Sequence, residues 1–111
     1  MNVNFNGYDE NVLTFEAGTN LKTAGVPVKM TDDGKQTACQ SGEVFCGICL
    51  SLRGGYATVQ LKGYVTMPAK SKITVGYKKL AAGEGSAVAS STTGREYLVL
   101  NSTADSVGFI L

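Results

Sequence analysis

The chain has 111 residues, a length that fits one domain with its own hydrophobic core but not two. Ten basic residues against nine acidic ones give a net charge of +1, so the overall charge makes no case for nucleic acid or an anionic membrane as a partner. There is no apolar run of about eighteen residues and no basic-then-apolar leader, so we expect no membrane span, no secretory signal and synthesis in a cytoplasm.

The N-terminal residues are rich in asparagine and too polar for a core strand, although Val3 and Phe5 alternate with polar residues. We interpret residues 1–11 as an N-terminal arm that becomes ordered against a partner. Residues 12–111 are then expected to form a single β-barrel-like domain. Its first strand is predicted over residues 12–16 and ends at the Ala-Gly pair 17–18.

A second strand is predicted where residues 26–30 alternate apolar and polar side chains. Pro27 cannot donate a hydrogen bond to a neighbouring strand, so this strand should begin there or lie at a sheet edge. The Asp-Asp-Gly sequence at 32–34 predicts a turn, and residues 35–40 form the return strand.

A Gly54-Gly55 pair separates two runs in which every second residue is apolar. Glycine supplies the positive φ angles of a tight two-residue turn, so the pattern predicts a β-hairpin. The apolar positions are Val44, Cys46, Ile48, Leu50 and Leu52 before the turn, and Ala57, Val59, Leu61, Gly63, Val65 and Met67 after it.

The register of this hairpin follows from the turn. If the two glycines form the loop, Leu52 faces Ala57 and the two apolar stripes meet across the ladder, which predicts one sealed core. The next predicted pairs are Leu50 with Val59 and Ile48 with Leu61.

The rest of the chain has short strand patterns and glycine-bearing turns. Convincing 3.6-residue periodicity is absent from the sequence, although residues 20–24 and 73–80 could contain a helical turn. We therefore predict an all-β fold, either a small β-barrel or a compact β-sandwich of short antiparallel strands. After residue 67 the predicted features are a loop over 68–72, a strand through Ile73, Val75 and Tyr77, a turn over 83–85, a weak segment over 86–91 and a terminal hairpin of 96–101 with 106–111.

Three cysteines, an odd number, do not indicate a disulfide framework. The spacing of Cys46 and Cys49 suggests a metal or redox site, but residues three apart on a strand point to opposite faces. Without histidine, a zinc site would need carboxylates or a second chain. We expect Cys46 in the core, Cys49 on the opposite face, no role for Cys39 that the sequence can assign, and no cofactor or metal.

The residues of common catalytic sites are missing from the sequence. There is no histidine base, nucleophile elbow or phosphate-binding loop, and the adjacent acidic pairs Asp9-Glu10 and Asp32-Asp33 lie beside turn residues. We therefore expect a protein that is not an enzyme.

The alternative function is a small β-barrel binding module for single-stranded nucleic acid or another ligand. A small barrel can bind a single strand by stacking bases beside basic side chains, and Tyr56, Lys62 and Tyr64 are predicted on the polar face of the hairpin. The lack of tryptophan and the net charge of +1 argue against this function.

Between Glu43 and Glu84 the chain has six basic residues and no acidic one. Such lysines can keep strand edges soluble, or they can form a patch that faces an acidic partner. The candidate patch consists of Lys62, Lys70, Lys72, Lys78 and Lys79.

Six segments occur in a familiar order: residues 15–18 (FEAG), 25–28 (GVPV), 42–48 (GEVFCGI), 57–66 (ATVQLKGYVT), 75–77 (VGY) and 97–100 (YLVL). In these segments, spread over nearly the whole chain, the protein resembles the small capsid decoration proteins of tailed phages and prophages. These are also called cement or head-stabilisation proteins.

The resemblance implies a non-enzymatic virion protein that is made in the host cytoplasm and binds the exterior of an assembled capsid. It implies contacts to the lattice of the major capsid protein, a homotrimer, and an N-terminal arm that reaches onto the shell. Val3, Phe5 and Tyr8 are the apolar groups of the arm, so we expect them to contact the capsid.

Overall fold

Ten β-strands make up most of the chain in the computed structural model, which describes residues 11–111. Five strands close into a barrel and five form an open sheet, so the predicted all-β fold with a barrel is confirmed. The only helical element among residues 11–111 is a short 3₁₀ turn, Glu84–Ser86. The barrel strands are β1 Asn11–Ala17, β2 Pro27–Asp32, β3 Lys35–Ala38, β4 Gly47–Arg53 and β5 Tyr56–Lys62, and the sheet strands are β6 Tyr64–Pro68, β7 Gly76–Ala82, β8 Val88–Ser90, β9 Arg95–Ser102 and β10 Ser106–Ile110.

The strand order around the barrel is β1-β3-β2-β4-β5, and β5 pairs with β1 to close it. β2 begins at Pro27, as predicted, but it lies between β3 and β4 rather than at an edge. Proline is tolerated there because the first residue of a strand need not donate to the ladder. The predicted turn at 32–34 connects β2 to β3.

The double-glycine hairpin forms as predicted, with φ angles of 58° at Gly54 and 83° at Gly55. Leu52 faces Ala57, which confirms the first pair.

Beyond that pair the predicted register is wrong. A β-bulge lies between Cys49 and Ser51, so that Cys49 faces Val59 and Ile48 faces Gln60. The extra residue, Leu50, is 47% exposed. A bulge opposes two residues of one strand to one of the other, and it therefore shifts every later side chain by one position.

Gly63 divides what the sequence pattern predicts as one long strand. Its φ angle of 102° belongs to the region that favours glycine, and the backbone turns there from the barrel strand β5 into the sheet strand β6. The apolar stripe of the prediction therefore contributes to two different sheets.

Two hydrophobic cores result, where the sequence predicted one. The barrel core is formed mainly by the barrel strands, and the sheet core by the open sheet together with Phe45 and Ile48. The fully buried barrel-core residues include Val28, Cys49, Ala57 and Val59, and those of the sheet core include Phe45, Leu80, Val107 and Phe109.

The open sheet has the order β6-β10-β9-β7-β8. The predicted terminal hairpin is confirmed as β9 and β10, and the weak segment pairs with β7 as β8. β7 starts at Gly76, later than predicted, so that Ile73 is buried in a loop while Val75 and Tyr77 are exposed. The helical turns considered for residues 20–24 and 73–80 do not form.

The two halves meet at Phe45, which belongs to the stretch between β3 and β4 that we call the bridging segment, residues 39–46. The Phe45 ring stacks on Tyr97 of β9, with centroids 5.1 Å apart and planes 4° from parallel. The Tyr97 hydroxyl donates a 2.8 Å hydrogen bond to the Phe45 carbonyl. Phe109 of β10 packs edge-on at 6.0 Å, so an aromatic cluster joins the barrel to the sheet.

We expect Phe45→Ala to lower the free energy of unfolding by about 3–5 kcal/mol, because it leaves a cavity between the halves. Val44→Ala is the matched control, since Val44 is the neighbouring residue and its side chain is exposed. Val44→Ala should change the free energy of unfolding by less than about 0.5 kcal/mol in urea or guanidinium titrations. Equal losses in both variants would contradict the role of Phe45 at the junction.

Candidate functional site

The bridging segment contacts both halves of the molecule. Its backbone pairs with the end of β7, where the Gly42 amide donates to the Ala82 carbonyl at 2.7 Å and the Ala82 amide donates to the Glu43 carbonyl at 2.9 Å. The Glu43 side chain contacts the barrel, where it forms an ion pair with Lys29 of β2. One residue therefore fastens the segment to sheet and barrel.

A polar groove of about 340 Å³ lies beside this ion pair, on the outside of the β2–β3 hairpin. Hydroxyl, amide and ammonium groups line it, and Lys29 and Glu43 belong to its wall. The other polar side chains of the groove are Thr19, Asn20, Thr31, Lys35, Thr37 and Gln40.

Hydrogen bonding fixes the charge states in the groove. The Lys29 ammonium and the backbone amide of Gln40 both donate hydrogen bonds to the Glu43 carboxylate, and these bonds lower the Glu43 pKa. The same hydrogen bond, donated by Lys29 to the carboxylate, raises the Lys29 pKa. Both groups are therefore charged near neutral pH, so this pair supplies neither a general acid nor a general base.

The cysteines occupy positions opposite to the prediction. Cys49 is fully buried in the barrel core, whereas Cys46 is only half-buried just before β4 begins. The strand starts at Gly47 with Gly47 and Cys49 turned inward, and this reverses the alternation that the sequence suggested.

All three thiols are held in the protonated form. Burial is the main cause of a raised pKa at each, and it raises the pKa of Cys39 to about 12, with the Glu43 carboxylate adding to the effect. Within residues 11–111 the structure has no cluster of three or more histidine, cysteine or acidic side chains that could hold a metal ion.

The predicted capsid-contact residues Val3, Phe5 and Tyr8 lie outside the described residues. β1 begins at Asn11, one residue inside the stretch interpreted as the arm. Val12 and Leu13 follow it directly, and they are 47% and 56% exposed. Because successive side chains of a strand point to opposite faces, one exposed apolar side chain lies on each face of β1 where the N-terminal residues join the barrel.

The five candidate lysines have different surroundings. Lys78 and Lys79 are adjacent on β7, so their side chains lie on different faces of the sheet. On the neighbouring strand β9, Lys78 pairs with Tyr97 and Lys79 pairs with Glu96. Lys70 lies 3.7 Å from the Glu84 carboxylate. Lys72 is exposed in the loop between β6 and β7, and Lys62 is exposed at the end of β5.

The polar hairpin face considered for nucleic acid does not form as predicted. Tyr64 is 7% exposed, and its hydroxyl contacts the Asn101 side chain of β9. Gln60 is also buried, and its amide donates to the carbonyls of Lys62 and Tyr64 at the turn between the sheets. Tyr56 remains exposed at the far end of β5. The base-stacking face is therefore lost to the break at Gly63.

An apolar row that the sequence patterns did not reveal lies on the face of the open sheet that is turned away from the sheet core. We call it the outer face. Tyr77, Leu98, Ile110 and Tyr64 lie there side by side on four neighbouring strands. Their alternation with core residues was visible in the sequence, but the sequence does not tell which of the two faces is buried.

The ion pair makes stability depend on pH. Because the folded protein lowers the Glu43 pKa below its ordinary value of 4.5, its contribution is present above that value and is lost as the pH falls through the folded pKa. We expect Glu43→Gln to reduce the loss of unfolding free energy between about pH 5 and pH 3. Denaturant titrations across that range measure it.

Glu84→Gln is the control, since the Glu84 side chain is 78% exposed. It should retain the pH dependence of the wild-type protein. A Glu43→Gln variant with an unchanged pH slope would show that the ion pair does not hold the bridging segment.

Among the described residues, the structure contains no helix of the length and apolarity that a membrane span requires. Comparison with protein-family models, with curated proteins and with solved structures finds no match. The likeness to capsid decoration proteins therefore rests on the six sequence segments, and function has to follow from the surfaces of the protein.

Proposed function

We propose that the protein is a non-enzymatic structural protein of a tailed phage or prophage, and that it binds the outer surface of an assembled capsid. Its partner is the lattice of the major capsid protein, on which it forms a homotrimer at the virion exterior. The observation that carries the proposal is the exposed apolar start of β1, directly after residues 1–10 with their own apolar groups Val3, Phe5 and Tyr8.

The start of β1 is held in a fixed position by the rest of the barrel. β5 pairs with β1 along its whole length, and Phe15 packs against the barrel core. Val12 and Leu13 are therefore presented by a strand whose position is set by the barrel. A preorganised surface loses less conformational freedom on binding than a flexible one.

Within residues 11–111, one edge of this strand is paired over only part of its length. β3 pairs only with Glu16 and Ala17, so residues 12–15 have a strand partner on a single side among the described residues. Such an edge accepts an extended segment of another protein through main-chain hydrogen bonds. Exposed apolar side chains beside it add buried area to the same contact.

The energetics favour a repeated lattice. Full burial of one exposed aliphatic side chain supplies about 1.5–3 kcal/mol, so a single copy gains little from Val12 and Leu13 alone. A ligand that binds only the assembled shell stabilises the shell by mass action, and linked copies add through effective concentration. Weak individual contacts therefore suffice when many copies cover one head.

Pelleting with undecorated heads of the phage that encodes the protein tests this function. We expect the wild-type protein to co-sediment and Leu13→Asp to bind at least about tenfold more weakly, because the carboxylate would have to be desolvated at the contact. Deletion of residues 2–10 should weaken binding as well.

Val75→Asp is the matched control. Val75 is an aliphatic residue with comparable exposure, but it precedes β7 of the open sheet, so this variant should pellet like the wild-type protein. Circular dichroism melts verify that each variant is folded. Wild-type protein that stays in the supernatant with its own heads would overturn the proposal.

A further inference from the structure

We infer that the outer face of the open sheet binds the same face of a second copy of this chain, about a twofold axis that runs parallel to the strands between β7 and β9. This inference concerns the free protein and does not depend on the proposed function. Two neighbouring rows of side chains carry it, one apolar and one charged.

The apolar row crosses the middle of the sheet. Tyr77 of β7 lies opposite Leu98 of β9, which in turn lies opposite Ile110 of β10. Tyr77 is 69% exposed, the highest value among the large hydrophobic residues of positions 11–111, while Leu98 and Ile110 are half-buried. A flat apolar row of this kind on a sheet face is typical of an interaction surface.

The charged row lies two residues further along the same strands. Lys79 of β7 is directly opposite Glu96 of β9, on the same face as Tyr77 and Leu98, and both side chains are exposed. No ion pair joins Lys79 to Glu96 in the part of the chain that the structure describes. One positive and one negative group therefore stand side by side next to the apolar row.

A twofold axis between β7 and β9 makes these rows complementary to themselves. It lays β7 of one copy over β9 of the other, so each Tyr77 covers Leu98 of the second copy. The same operation sets each Lys79 opposite Glu96 of the second copy, which forms two ion pairs at once. In such an isologous contact every interaction occurs twice.

Charge favours a second copy over a partner of one sign. A uniformly acidic partner would place like charge against Glu96, and a uniformly basic one would place it against Lys79, each at an energetic cost. The same surface rotated by half a turn satisfies both groups. Aligned packing of two sheets, at a distance of about 10 Å, is an ordinary arrangement in β proteins.

The size of the face sets the strength of the contact. β9 has eight residues and is about 26 Å long, and the two strands β7 and β9 on either side of the axis are together about 10 Å wide. The covered area is thus a few hundred Å² per copy, below the roughly 800 Å² of a stable interface. We therefore expect a weak dimer that forms only at high protein concentration. This dimer of the free protein is distinct from the proposed trimer on the capsid.

Sedimentation equilibrium from about 10 µM to 1 mM tests the pair. The mass of the wild-type protein should rise from one chain towards two, and Tyr77→Asp should remain a single chain throughout. Tyr56→Asp is the control, because Tyr56 is a similarly exposed tyrosine on the barrel, and its mass should follow the wild-type curve.

A charge exchange distinguishes pairing from a merely structural effect. Lys79→Glu and Glu96→Lys each place like charges at both contacts, so each should remain monomeric alone. Mixed in equal amounts they should associate, since two negative groups then face two positive ones while the repulsion inside each chain is unchanged. Thermal melts confirm that both variants are folded.

Wild-type protein that stays monomeric up to 1 mM would overturn the inference, and so would a trimer without a dimer. A mixture of the two charge variants that remains monomeric while the wild-type protein associates would also overturn it.

Discussion

The structure depends on the insertion of Phe45 between the barrel and the open sheet. Its ring stacks on Tyr97 and contacts Phe109, and its carbonyl accepts a hydrogen bond from the Tyr97 hydroxyl. A single residue therefore fills apolar space at the junction and also pairs with its buried hydroxyl. Without it, the sheet core would lose the residue that connects it to the bridging segment. The relative position of the barrel end and the outer face follows from this contact.

The junction also explains why the protein has distinct surfaces. One face of the open sheet carries the sheet core, whereas on the outer face Tyr77 is exposed and Leu98 is half-buried. The exposed apolar side chains Val12 and Leu13 lie elsewhere, on the two faces of the start of β1. The exposed apolar groups of the start of β1 and of the outer face therefore lie at separate places on the molecule.

Local patterns predicted the all-β class, the Gly54-Gly55 turn and the terminal hairpin, because turn chemistry and two-residue alternation are properties of short segments. The bulge at Leu50 could not be predicted, since an extra residue in a strand leaves the alternation on either side intact. The alternating pattern continues through Gly63, so the sequence alone does not show that the strand ends there and a strand of the second sheet begins. These two features reversed Cys46 and Cys49 and buried Tyr64.

Hydrogen–deuterium exchange of the protein, free and bound to undecorated heads, tests the central claim that the start of β1 is the docking surface. The account predicts added protection of the amides of residues 12–15 on binding, with β8 exchanging as in the free protein. Protection confined to the open sheet, with residues 12–15 unchanged, would contradict it.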